Sequence, residues 1–343
     1  MRPRLVAEIA FGEWTDDGRI RHPSMQGLRA DKDARDVGRE RAVQAAPAPA
    51  PAAGQVRGIA ISHPDRIIFA ELGVTKLDVA RYYDQVAPAM LPHVAGRPLT
   101  LLRCGGALDH DAPKGGCVML RHAKAWGQCQ LRRVKIRELR KTGEYLVADT
   151  PEALVALAQM GIVEIHTWNA SAELPYRHDR LVFDFDPGPS VAWREVVAAA
   201  RLVRELLADQ GLRSWVKTTG GKGLHVVAPI APAATSDCLA FAQAVAAHLV
   251  ERDPRRFTVA VAKAGREGQI LIDALRNGRA NTSVAAFSLR ARRGAPVSIP
   301  LDWDELTPRL DPARFTIRTA VARAREADRW SGYWKARQRL PRR

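Results

Sequence analysis

A chain of 343 residues, 46% apolar and 26% charged, has ordinary globular composition, enough for one large domain or two modest ones. Collagen-like, coiled-coil and wholly disordered architectures are excluded. Lys and Arg total 53 against 37 acids, a net +16 in which Arg supplies 43 of the bases, so a polyanionic partner is the first expectation.

The alternation of apolar and polar residues from Leu5 to Phe11, followed by Asp16-Asp17-Gly18, predicts a strand or hairpin remnant too small to fold alone. The Pro/Ala run at 45–54 cannot build a helix or a ladder and predicts an extended linker, placed at 45–56, between two units. Beyond it the chain reads as an α/β or α+β domain. Thr75-Lys76-Leu77-Asp78 opens a Thr-capped helix whose apolar positions are Leu77, Ala80, Tyr83, Val86 and Ala87. A helix over 151–160, a strand over 162–166 and a strand over 181–186, ended by Pro187-Gly188, follow. The remaining predictions are a helix at 191–209, strands at 214–217 and 224–228, a helix at 236–251, a strand at 269–273 and a basic C-terminal helix.

The charge is clustered: residues 121–141 carry net +7, the last 60 residues +8, and everything else +1. Cys104, Cys117, Cys129 and Cys238 form no CxxC pair and are too sparse for a disulfide framework, which suits buried thiols in a reducing cytoplasm. A zinc cluster of Cys104, His110, Cys117 and His122 matches no ligand spacing. No apolar run approaches the roughly 18 residues of a membrane span, and Glu8 and Glu13 break any signal pattern, so no membrane partner is expected.

Asp184 and Asp186 lie two apart on a predicted strand, so both carboxylates leave the same face while Phe183 and Phe185 leave the other. Side by side they repel unless a cation intervenes, and Mg2+ or Mn2+ suits carboxylate oxygen. Asp273, ending another apolar strand, is a third candidate; turn-forming acids before Pro187-Gly188 are the alternative. In the loop from Lys217 to His225 three glycines free backbone N–H groups to face an anion, with two lysines and two hydroxyls nearby. It is not a P-loop, because Gly223 follows Lys222 where Ser or Thr would hold Mg2+. Arg276, Arg279, Arg290, Arg292 and Arg293 could grip phosphate oxygens, with a solvated surface the alternative for Arg292 and Arg293. His166, near a strand end, fits a ribose contact or a structural role.

These residues occur in a fixed order: His63-Pro64-Asp65-Arg66, Thr75-Lys76, Glu164 to Trp168, Phe183 to Gly188, Thr218 to His225, Asp273 to Asn277, and Val297 to Leu306. As a set, over roughly 57–335, they resemble the polymerase domain of bacterial ATP-dependent ligase D, a member of the archaeo-eukaryotic primase superfamily. Residues 1–44, through Arg2 to Glu8, Arg21 to Ser24 and Leu28 to Lys32, resemble the end of the ligase OB domain of the same enzyme, and 336–343 is a basic tail. The resemblance implies an α+β fold with central mixed or antiparallel sheets flanked by helices. It implies a template-dependent nucleotidyltransferase, of the EC 2.7.7 type, that fills gaps and extends ends with NTP or dNTP during non-homologous end joining. The location implied is the cytoplasm, at the nucleoid.

Residue by residue, it implies that Asp184, Asp186 and Asp273 hold two Mn2+ or Mg2+ ions. Thr219, Lys222, His225, Arg276, Arg290 and Arg103 would contact the nucleotide, with His166 at its ribose. His63, Arg66 and Lys76 would receive a DNA 5′-phosphate, and Arg266 the template. A Ku homologue and a ligase module, in cis or in trans, are the implied partners, since the adenylating half of a ligase is absent. A catalytically inactive module that binds 5′-phosphorylated ends and recruits Ku or a ligase is the alternative. Val118-Met119 stand where the family has a Phe-Phe pair that stacks on the template, a contact worth about 1–3 kcal/mol per base.

Overall fold

The computed structural model describes residues 6–10, 13–14, 19–21, 24–29, 54–108, 116–122, 129–138, 140–262 and 264–341. The expected turn at Asp16 to Gly18, the Pro/Ala run, Lys32, His110, Lys124 and the last two residues of the basic tail lie outside them. The chain divides into two units, Met1–Ala50 and Pro51–Arg343. In the first, strand Val6–Ala10 pairs antiparallel with Ser24–Arg29, and Glu13–Trp14 pairs with Ile20–Arg21.

In the second unit, α1 (Lys76–Val94) starts as its sequence demands. Thr75 is extended, its hydroxyl accepts from Asp78 N (3.2 Å) and the Asp78 carboxylate accepts from Thr75 N (2.9 Å), a complete capping box. The helix continues beyond the predicted apolar set through Pro88 and Pro92. Each interior proline costs roughly 3 kcal/mol. Burial of Val79, Val86, Met90 and Val94, about 1.5–3 kcal/mol each, offsets the pair. Helix α1 packs on α2 (Pro151–Gln159), and the Tyr83 hydroxyl donates to Val163 O (2.7 Å) on the sheet beneath.

That sheet has four strands in the order β2 (Cys117–Leu120), β1 (Leu99–Cys104), β5 (Ile162–Trp168), β11 (Thr282–Val284). A two-stranded ribbon, β3 (Arg132–Arg137) with β4 (Thr142–Val147), carries the central basic cluster. The second large sheet has six strands, ordered β9 (Phe257–Thr258), β10 (Ile270–Asp273), β6 (Arg177–Pro187), β8 (Leu224–Ala234), β7 (Trp215–Thr218), β12 (Pro300–Leu301). All its pairs are antiparallel except β9 with β10, so the sheet is mixed. Helices α3 (Trp193–Asp209) and α4 (Thr235–Arg252) pack on β6 and β8.

Strand parity decides what each face of β6 does. Leu181, Phe183 and Phe185 are fully buried in the main core with Val196 and Val203 of α3 and Ala242 of α4, whereas Val182 joins a smaller cluster with Trp215, Val227 and Trp330. Asp184 and Asp186 share the parity of Val182 and leave the face opposite the helices. The architecture is the expected α+β class.

Two expectations need correction. The C-terminal region contains one short helix, Ala320–Ala324, because aromatic anchors direct the segment after it. Trp330 is 2% exposed and donates to Val216 O (3.1 Å), and the Gln338 amide bonds to Arg213 and Pro229. Cys104 and Cys117 are not free thiols: they face each other across β1 and β2, 4.1 Å apart at Cα, and are disulfide-bonded. Strand pairing between distant segments made them neighbours. Among the described residues no helix is long and apolar enough to cross a membrane.

One side chain finishes the ladder next to the acids. Strand β10 stops at Asp273, opposite Asp184, leaving the Val182 backbone without a strand partner on that side. Asn277, fully buried, takes the place of one: its Oδ1 accepts from Val182 N (2.8 Å) and its Nδ2 donates to Val182 O (2.7 Å). Asn277→Ala is expected to lower stability by about 3 kcal/mol, the cost of two orphaned buried backbone groups. Urea unfolding checks this, and a loss below about 0.5 kcal/mol, the range of an ordinary surface substitution, would contradict it.

Candidate active site

The register of the six-stranded sheet lines up four residues across four strands. Asp273 on β10 is opposite Asp184 on β6, Asp184 is opposite His225 on β8, and His225 is opposite Lys217 on β7. Directly paired residues share a face, and Asp186 joins them two positions along β6. The structure therefore brings the three predicted acids and His225 together.

Guanidinium groups lie against this negative charge. Arg276 Nε is 3.0 Å from Asp184 Oδ2 and 3.1 Å from Asp273 Oδ2, spanning the pair. Arg266, expected at a template, is instead buried, and both its terminal nitrogens lie 3.2 Å from Asp186 Oδ2. His225 Nε2 is 3.3 Å from Asp184 Oδ1, and its buried Nδ1 has no partner. Burial and the nearby Lys217 push the His225 imidazole down to about 4. Burial alone would raise the Asp184 carboxyl, but His225 and Arg276 outweigh it and hold the group well below the usual carboxylate range. Since His225 is neutral near pH 7, Arg276 is the charge that keeps Asp184 ionised. Asp273 is raised, by burial and by Asp184 and Asp186, despite Arg276. Three carboxylates there face the guanidinium groups of Arg276 and Arg266.

An excess of carboxylate oxygen on one face suits a hard divalent cation. Among the described residues, no three Asp, Glu, His or Cys side chains stand close enough to ligate one ion together, and Arg276 spans the two opposed acids. The donor chemistry fits such a cation; the side-chain arrangement is the arginine-bridged one.

The glycine-rich loop follows β7 and leads into β8, reaching the end of β6 through the pairing of Leu224 with Phe185. Its glycines answer to geometry: a Cβ on Gly223 would stand 2.1 Å from Phe185 O, and Gly220 has φ +67° with its absent Cβ 2.6 Å from Arg290 Cγ. Lys222 is exposed. The Thr219 hydroxyl donates inward to Gly223 O (3.2 Å), and the Thr218 hydroxyl accepts from Ile299 N (2.9 Å). Lys217, read from sequence as a loop cation, is buried and donates to Ser298 Oγ (2.7 Å), and burial drives it far below the usual lysine range. Arg290 Nη1 donates to Thr219 O (2.6 Å) while its Nε lies 3.1 Å from Glu164 Oε2, which also faces His166 Nε2 at 2.8 Å.

A second cationic group forms around Gly161. Lys76 is buried, its ammonium donating to Ser62 O (3.0 Å), Ser62 Oγ (3.1 Å) and Gln159 Oε1 (2.9 Å), all neutral acceptors. Burial, Arg66 and Arg103 push it down to about 8. A Cβ on Gly161 would lie 3.4 Å from Arg66 Nη2 and 3.8 Å from Arg103 Cγ. Arg103, expected at the nucleotide, thus stands with Arg66 and Lys76. His63 is exposed in the turn before Arg66, with φ +50°. Val118 and Met119, on β2, are 58% and 49% exposed.

Sequence reasoning passed over Glu164, Asn277 and Gln159 as site residues. Glu164 had a usable signal, an acid two residues from His166 on one face of an apolar strand. The other two acquire meaning only from partners distant in sequence.

Both parts of the chain have counterparts among known proteins. The polymerase domain from Mycobacterium tuberculosis ligase D, solved in complex with DNA, superposes with a TM-score of 0.73 at 31% identity, covering 80% of this chain and 97% of that one. The fold is of the archaeo-eukaryotic primase type. The family model for the LigD primase-polymerase domain matches residues 75–330, and this chain belongs to that family. The C-terminal region of ATP-dependent DNA ligases matches residues 1–32. The multifunctional non-homologous end joining protein LigD of Pseudomonas aeruginosa is 35% identical over 99% of this chain, which spans 41% of that protein. The M. tuberculosis LigD is 34% identical over 74% of the chain and 34% of its own length.

Buried His225 and His178, both pushed to about 4 from the usual 6.5, set an acid limit on stability. The unfolded chain binds more protons between these values, so each contribution is complete above pH 6.5 and lost as pH falls through 4, about 3 kcal/mol apiece. Urea midpoints in EDTA should fall as pH drops below 6.5; midpoints flat down to pH 4 would contradict the burial of neutral imidazoles.

Proposed function

We propose that this chain transfers nucleotides to a primer 3′-hydroxyl on a DNA template, filling gaps and extending broken ends in bacterial non-homologous end joining. The observation that carries the reading is the row Asp273–Asp184–His225 on one sheet face beside a glycine loop bound to Arg290. Asp184, Asp186 and Asp273 would hold two Mn2+ or Mg2+ ions, which when bound supply activation of the attacking hydroxyl and shielding of the leaving pyrophosphate. Arg276 turns from the acids to the incoming triphosphate, keeping the local charge balanced. Lys222, Arg290 and the N–H groups around Gly220 grip the β- and γ-phosphates, and the Thr219 hydroxyl exchanges its bond to Gly223 for a phosphate oxygen. His166 meets the ribose and neutral His225 orients Asp184.

Arg66, Lys76 and Arg103, with His63 at the rim, receive the 5′-phosphate on the far side of a gap. The Lys76 ammonium, whose three acceptors are all neutral, is the charge such an anion balances. The segment before the linker is the end of a ligase OB domain, so sealing falls to a ligase module in cis or in trans, and a Ku homologue brings the ends. Three acids on one face oppose the reading as an inert end-binding module.

Primer extension with Mn2+ on a gapped duplex bearing a 5′-phosphate tests the assignment. Asp184→Ala with Asp186→Ala should abolish extension, by a factor of about a thousand or more. Undiminished extension would overturn it.

The Lys76 site adds a pH signature. Its ammonium is charged below about 8 and neutral above, so preference for 5′-phosphate over 5′-hydroxyl ends should weaken as pH rises through that value. Fluorescence anisotropy on the two oligonucleotides measures this. Lys76→Gln should show no such step; a step of the same size in that variant would contradict the role.

A further inference from the structure

Glu164 lies on a strand whose neighbours Ile162, Val163 and Ile165 are fully buried, and it is itself only 4% exposed. A lone carboxylate there would cost several kcal/mol, so its partners must account for its presence. Oε1 accepts from Ala291 N (2.8 Å). Oε2 is shared: His166 Nε2 is 2.8 Å away and Arg290 Nε 3.1 Å, the latter an ion pair without a well-aimed N–H. Burial opposes ionisation, but His166 and Arg290 prevail and the carboxyl is pushed down to about 2. It is an anion at every working pH.

The two groups on Oε2 serve different parts of the site. Arg290 reaches the glycine loop through Thr219 O, and His166 belongs to β5. The charged groups acting on His166 are Glu164 from its own strand, Arg290 from the segment after β11 and Arg276 from the turn after β10. Burial and the two arginines lower it, and Glu164 raises it. An anion that neutralises Arg290 therefore removes a repulsion from the imidazole and leaves it the stronger claimant on Glu164 Oε2.

We propose that Glu164 is a positioning residue that links occupancy of the glycine-loop anion site to His166. Anion binding on Arg290 lets the imidazole take one proton from solvent, so a ligand meets an imidazolium donor held by Glu164. This rests on the reading of the loop as a phosphate cradle. It adds that the site senses its anion and changes the charge of a residue on another strand.

The test is the pH titration of the His166 ring by NMR, on the whole chain without metal, with and without inorganic tripolyphosphate. In the wild-type chain tripolyphosphate should raise the His166 midpoint by about one pH unit. Without ligand, Glu164→Gln should lower the midpoint and Arg290→Gln should raise it, and neither should respond further to tripolyphosphate. The wild-type measurement stands even where a variant does not fold. Tripolyphosphate that binds the wild-type chain and leaves the midpoint unmoved, or two variants that shift it in the same direction, would overturn the link. Failure of tripolyphosphate to bind at all would overturn the phosphate cradle, and the link with it.

Discussion

Two carboxylates directly opposite each other on neighbouring antiparallel strands, Asp184 and Asp273, are the constraint to which the rest of this structure answers. Like charges in that position repel, and burial makes the repulsion worse. The fold accommodates them with Arg276 across the pair, Arg266 on Asp186, and a neutral His225 on the other flank of Asp184. Asn277 fixes the turn that carries Arg276, because it is bonded to β6 at Val182. Even so three carboxylates face two guanidinium groups, and burial keeps Asp273 raised. On the proposed function such a site would exchange an internal cation for a metal ion.

Much of this was legible in the sequence because strand parity is local. A two-residue spacing fixes Asp184 and Asp186 on one face whatever the strand pairs with, and the Thr75/Asp78 cap fixes a helix start. What could not be read was register. That Asp273 stands opposite Asp184 rather than near Asp186, that Arg266 folds inward, and that Cys104 meets Cys117 all depend on pairings between distant segments. The overextended C-terminal helix has a different cause: Arg-rich polarity resembles a solvated helix face, but Trp330 and Gln338 tie the segment to the sheet.

Basic charge also divides differently from its sequence clusters. In the C-terminal cluster Arg323 pairs with Glu305 and Glu326, and Arg329 with Asp302 and Glu326, so part of that excess holds the fold together. In the central cluster Arg132 pairs with Asp149 and Arg133 with Glu144, while Lys135, Arg137, Arg140 and Lys141 are exposed on or beside the β3–β4 ribbon. The buried Lys76 ammonium, held by the neutral acceptors of Ser62 and Gln159, stands beside Arg66 and Arg103 in segments of no notable charge. Local partners, not composition, identify an anion site.

On the proposed function the acid row would exchange its arginine bridge for divalent cations when a nucleotide arrives. Counting retained Mn2+ by electron paramagnetic resonance, with a saturating non-hydrolysable nucleoside triphosphate, tests it most directly. Two ions are expected on the wild-type chain, and their loss in Asp184→Asn with Asp273→Asn. Nucleotide binding with no retained Mn2+, or the same count in the variant, would contradict it.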